Sequence, residues 1–109
     1  MNTGIVQLQT TLDSEAAASR IADTLVAEQL AACVQVIGPV RSTYRWQGAL
    51  ERADEWLCLI KTTEAALTAL LPRLKELHPY DTPEIIVIPV IGGDPAYLLW
   101  VKEGTADPL

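Results

Sequence analysis

The stretch from Val40 to Ile60 constrains this chain most. Val40 to Trp46 alternates, with Ser42, Tyr44 and Trp46 facing one way and Arg41, Thr43 and Arg45 the other, the period of two that marks a strand. Gln47-Gly48 supplies a tight turn, because glycine takes positive φ without a Cβ penalty. The returning strand opens on charged Glu51, Arg52, Asp54 and Glu55 and closes on apolar Trp56-Leu57-Cys58-Leu59-Ile60. Together they form a long β-hairpin, and in a chain of 109 residues its tip projects past the body of the domain. An arm with Tyr44 and Trp46 near its end exposes large aromatics unless something covers them. Another subunit is the expected cover.

The flanking patterns supply the rest of a sheet and its helices. Gly4 to Thr10 reads as a short strand, with Val6 and Leu8 on one face and Ile5 and Gln7 on the other. Asp13 is the expected N-cap of the first helix, and Glu15 suits the positive end of its dipole. Ala18, Ile21, Ala22 and Leu25 follow at helical spacing, and the small alanines on that stripe predict close packing on a sheet. Leu30 to Ile37 begins the second strand, which Gly38-Pro39 interrupts with a bulge or bend ahead of the arm.

Beyond the arm, Thr63 is the expected cap of a second helix striped by Leu67, Leu70, Leu71, Leu74 and Leu77. Pro72 inside that stripe predicts a kink or a later helix start. Ile85 to Ile91 shows no polar alternation, which predicts a strand buried on both faces, although Pro89 wants an edge or a bulge. Asp94 as N-cap and Pro95 at the first helical position open a short last helix carrying Tyr97, Trp100 and Val101 on one stripe and ending near Gly104. Strand, helix, hairpin, helix, strand is the β-α-β-β-α-β order of an α+β ferredoxin-like sandwich, here with an extra C-terminal helix.

Bulk properties narrow the function. At 109 residues the chain makes one domain, residues 1–109, and with Phe absent its core must come from Leu, Ile, Val, Ala and Trp. A net charge of −6 argues against a nucleic-acid partner, which needs a basic face. No apolar stretch approaches the ~20 residues of a membrane span, so no membrane partner is expected. Cys33 and Cys58 are too few and too far apart for a disulfide framework or a C-x-x-C site, and the expectation is a cytoplasmic protein with reduced thiols.

His78-Pro79-Tyr80-Asp81-Thr82-Pro83-Glu84 concentrates the polar chemistry and holds the sole histidine. Each proline pushes the residue before it out of the α region, so the second helix must stop here and the chain crosses as a stiffened turn. The plain reading is a rigid connection, and the chemical one is a binding site. No nucleophile has an adjacent base, and neither cysteine has a charged flank to lower its pKa, so no enzyme site emerges. No glycine-rich phosphate loop stands at a helix start. Metal binding through His78 with carboxylates is the stronger chemical option, although one subunit offers a single imidazole and an assembly would have to complete the site.

Several motifs together resemble a known family. Leu30-Ala31-Ala32-Cys33-Val34, Tyr44-x-Trp46-x-Gly48, Ile60-Lys61-Thr62, Leu77-His78-Pro79-Tyr80-x-x-Pro83-Glu84 and Gly93-x-Pro95-Ala96-Tyr97-Leu98-x-Trp100 are similar to the CutA divalent-cation-tolerance proteins. The resemblance runs from about residue 4 to residue 101. It implies a ferredoxin-like subunit in a tight homotrimer, similar in architecture to the PII signalling proteins, with the arm reaching over a neighbour. It also implies a cytoplasmic protein linked to tolerance of divalent cations, copper in particular. One branch of the family binds copper with a first-strand cysteine and a tandem histidine pair before the Pro-Tyr. Here those positions are Gln9 and Leu77-His78, so one ligand of the three is present and tight copper binding through that set is not expected.

The expected site is an inter-subunit cleft lined by Lys61, His78, Tyr80, Glu84 and Trp100. His78 and Glu84 are the candidate ligands of copper or another divalent cation. Lys61 would hold an anion, and Tyr80 and Trp100 would supply apolar walls with polar tips. The rival function is a PII-like module binding a small anionic ligand through Lys61. A third is a purely structural trimer.

Overall fold

The computed structural model describes residues 2–106. Its elements are β1 (Ile5–Leu12), α1 (Glu15–Ala27), β2 (Cys33–Trp46), β3 (Ala49–Thr63), α2 (Leu67–Leu77), β4 (Ile86–Pro89) and α3 (Pro95–Gly104). They build a four-stranded antiparallel sheet in the order β2-β3-β1-β4, the ferredoxin-like arrangement with one added helix. Alternation assigns the faces. Val6, Leu8, Thr10 and Leu12 share one side with Cys58, Ile60 and Thr62, and all are buried. Ala18, Ile21 and Leu25 of α1 and Leu70 and Leu74 of α2 close over that side, each at 2% exposure or less. Arg73 reaches from α2 to both carboxylate oxygens of Glu28, at 2.9 and 2.7 Å, and so ties the two helices together at the surface.

The arm is as long as its alternation predicted. β2 and β3 stay paired from Cys33 and Lys61 to Trp46 and Ala49, and the molecule extends 44 Å along one axis against 26 and 21 Å across. Its radius of gyration of 14.5 Å exceeds the ~13 Å of a compact chain this long. Gln47 and Gly48 both take positive φ, 49° and 80°, which gives the two-residue turn a twist matching the strands. The register shifts between Ile37 and Val40, at a cis Gly38-Pro39 bond. Glycine is required at 38, because a β-carbon there would collide with the Trp56 ring.

Several local expectations need correction. Ser14, not Asp13, caps α1, and its hydroxyl accepts from the Ala17 N–H at 3.1 Å. Thr63 caps one turn early: its hydroxyl accepts from the Ala66 N–H at 3.2 Å, in the turn that leads into α2. Pro72 neither delays nor ends α2, which runs through it. The carbonyl it frees belongs to Thr68, and both residues are exposed, so water can take that bond. β2 begins at Cys33 rather than Leu30.

The largest correction concerns β4. It pairs with β1 alone, at the sheet edge, and Ile86, Val87 and Ile88 are 45, 37 and 39% exposed rather than buried on both faces. Pro89 accordingly has the edge position it needs. The last helix starts as expected, with the Asp94 carboxylate accepting from the Tyr97 N–H at 3.0 Å. Of its predicted stripe only Val101 is buried, while Tyr97 and Trp100 stack on each other at the surface with centroids 5.7 Å apart.

Candidate functional site

The turn from His78 to Glu84 is placed by α2 on one side and β4 on the other. The His78 N–H closes the helix onto the Leu74 carbonyl at 3.0 Å, and His78 itself is already extended, as the following proline demands. Its side chain turns inward against β1 and is 7% exposed. Nε2 lies 2.9 Å from the Thr10 hydroxyl oxygen and 3.0 Å from the Thr11 carbonyl, and Nδ1 accepts from the Tyr80 N–H at 3.2 Å. An acceptor at Nδ1 and a carbonyl at Nε2 together select the neutral tautomer with its proton on Nε2. Burial lowers the His78 pKa, against the opposing pull of the Thr11 carbonyl and the nearby Asp13 and Glu55 carboxylates.

Tyr80 sits edge-on to that imidazole, with centroids 4.8 Å apart, and reaches the arm. Its phenol donates to Glu55 at 2.7 Å. Burial, reinforced by the bond to Glu55, raises the phenol pKa, so Tyr80 remains the donor throughout the physiological range. Both residues line an open groove of about 750 Å³, within the range of small-molecule sites. The arm contributes Ser42, Thr43, Tyr44, Trp46 and Glu55; the turn contributes Tyr80, Asp81, Thr82 and Glu84; and Thr11 of β1 adds a rim.

The structure brings together only part of the expected cleft. Tyr80 and Glu84 line the groove, and His78 lies beneath it. Lys61 does not join them. It pairs with Gln7 of β1, roughly 13 Å along the strand from Thr11, and its amine donates to Gln35 of β2. Trp100 is remote as well: on α3, Lys102 lies near Gly4 and Gly104 abuts Ala32, at the end where β1 begins. For His78 to serve as a ligand, Nδ1 would have to release the Tyr80 N–H or Nε2 its proton. Among the described residues no three His, Cys, Asp or Glu side chains come close enough to hold an ion together.

Sequence reading missed Glu55, Asp81 as a groove wall, and the hydroxyl set of Ser42, Thr43 and Thr82. Part of the signal was present, since Ser42, Tyr44 and Trp46 share one strand face. What no spacing revealed is that the turn folds onto that face. Cys33 and Cys58 are both free thiols; Cys58 is fully buried, which raises its pKa to about 11 and leaves it an inert core group. Among the described residues no helix is long and apolar enough to cross a membrane.

Comparison with known proteins agrees with this architecture. The family described as CutA1 divalent ion tolerance protein matches residues 6–104. The divalent-cation tolerance protein CutA of Thermus thermophilus is 46% identical over 95 residues, covering 87% of this chain and 92% of that one. Its counterpart in Pectobacterium atrosepticum is 47% identical over 92 residues, 84% of each chain. The solved Thermus thermophilus structure superimposes with a TM-score of 0.90 at 43% identity, covering 94% of this chain and 99% of that one. CutA1 from Oryza sativa superimposes with a TM-score of 0.92 at 36% identity, covering 95% of each. With fold, length and motifs in agreement, the chain belongs to the CutA1 divalent ion tolerance protein family.

Proposed function

We propose that the protein is a homotrimeric, non-catalytic binding protein of the cytoplasm that acts in the response to divalent metal ions. The observation that carries this reading is the groove, because it is built between the two motifs that most mark the chain: Tyr44-x-Trp46 on the arm and the His78–Glu84 turn. Glu84, with Asp81 and Glu55, offers carboxylate oxygens to a cation, and Tyr80 holds the arm against the turn. Trimer formation is supported by the apolar side chains left at the sheet edge and on α3, with Ile88 39%, Ile91 69%, Leu99 55% and Trp100 49% exposed. A copper or other divalent ion held firmly needs further ligands, and a neighbouring copy is the source.

Static light scattering together with calorimetric titration of copper and zinc tests this reading. A trimer that binds metal, with weaker binding in Glu84→Gln, is the expected result. A monomer at micromolar concentration removes the shared site. Metal binding unchanged in Glu84→Gln removes the groove as its address.

The anion-binding alternative retains one specific support. Lys61 stands on the sheet face opposite α1 and α2, where a ligand between subunits would meet its ammonium group. A thermal shift with nucleotides and none with metal would favour that alternative over the cation reading.

A further inference from the structure

The groove carries a charge pattern that a metal ion alone does not explain. Its lining includes the carboxylates of Glu55, Asp81 and Glu84, and among the described residues no Lys, Arg or His lines it. Arg41 and Arg45 of β2 are not among the lining residues, although Thr43 between them is. An anion entering it would meet like charge on both walls. A cation is favoured, and the question is of which kind.

A divalent metal wants its oxygens converged on a point about 2.0–2.6 Å away. The three groove carboxylates do not form such a cluster, and Glu55 already accepts the Tyr80 phenol. Two come from the turn and one from the arm, so negative charge borders the cavity on two sides. The same groove is lined by Tyr44 and Trp46, 44 and 57% exposed, and aromatic faces of this kind attract ammonium groups and cover methylenes. Space of about 750 Å³ is far more than a bare ion or a single ammonium fills. Separate carboxylates, aromatic side chains and a roomy open cavity match a flexible cation with several charges separated by hydrocarbon.

We propose that this groove binds an aliphatic polyamine, its ammonium groups shared between Glu55 on the arm and Asp81 and Glu84 on the turn, and its methylenes laid on Tyr44 and Trp46. The proposal rests on the groove being the functional site and names the class of ligand it takes.

Calorimetric titration of spermidine into the purified full chain, in buffer of about 0.15 M ionic strength so that diffuse attraction is screened, is the test. Saturable binding at one site per chain is expected. It should weaken at least about tenfold in the double variant Asp81→Asn/Glu84→Gln, which removes charged acceptors. In Trp46→Ala it should weaken about 2- to 30-fold, the span of a lost cation–π contact. A control variant, Glu64→Gln/Glu103→Gln, removes the same charge from exposed positions outside the groove and should leave affinity unchanged. Unsaturable binding, or equal weakening by the control, overturns the proposal. If copper or zinc binds through Glu84 while spermidine does not bind, the groove stands and the polyamine falls. If a trimer takes up neither, both fall.

Discussion

The half of the sheet under α1 and α2 and the region formed by the arm, β4 and α3 solve opposite problems. Under the helices, Leu8, Leu12, Leu25, Ile60, Leu70 and Leu74 are fully buried within one chain, and no side chain among the described residues leaves a buried polar atom unpaired. Across the other region, Ile37, Trp46, Leu50, Ile88, Ile91, Leu99 and Trp100 remain 39% exposed or more. The first region is complete as a monomer, whereas the second has the composition of a core with half its partners missing. If the exposed region is the interface of the proposed trimer, stability and assembly are separable and can be perturbed independently.

The largest expected effect is on assembly. Ile88→Asp places a charge on the apolar sheet edge, and light scattering should show the proposed trimer replaced by smaller species while far-ultraviolet circular dichroism keeps the native fold. A variant that remains trimeric would remove the edge from the interface. Next comes the helix-covered core, where Leu74→Ala should lower the unfolding free energy by about 2–5 kcal/mol in urea, through lost transfer energy and a residual cavity. Loss of assembly in that variant without loss of stability would collapse the distinction between the two regions.

Smaller effects sharpen the comparison. Ser14→Ala should cost about 1 kcal/mol, since it leaves the Ala17 N–H at the α1 start without its acceptor. The smallest expected effect is on pH dependence. The His78 pKa is lower in the folded chain than its ordinary value of 6.5, so as pH falls the unfolded chain takes the proton first. His78 then contributes full stability above about 6.5, and the contribution is lost as pH drops toward the folded pKa. Thermal melts from pH 8 to 5 should show this decline, and His78→Gln should flatten it. A melting temperature independent of pH in the wild type would contradict the buried neutral imidazole.

Most of the fold was legible because the signals were local. The alternation of Val40–Trp46, the Gln47-Gly48 turn and the alanine-leucine stripe of α1 each report a period that the backbone itself imposes. The errors arose where the answer lay outside the local pattern. Asp13 and Ser14 are both good caps, and only the helix's actual first turn chooses between them. Ile85–Ile91 reads as doubly buried because its apolar side chains have no polar alternation, yet one chain supplies a neighbour on one side only. The site was half legible for a related reason. Tyr80 and Glu84 travel together on one rigid turn, whereas Lys61 and Trp100, expected beside them in a cleft between subunits, are separated from them within one chain by strand register and by the seat of α3.

The hydrogen bond from Tyr80 to Glu55 has a mechanical consequence. Glu55 pairs with Val40, immediately beyond the register break, so the turn grips the arm at its root. A cantilever clamped at its base transmits force to whatever holds the clamp, and here that is the short path through Tyr80 and His78 to β1. A load placed on the tip therefore has this side-chain path to the floor of the groove beside the backbone path along β3 to β1. The Tyr80 phenol is the link of that side-chain path that joins the turn to the arm.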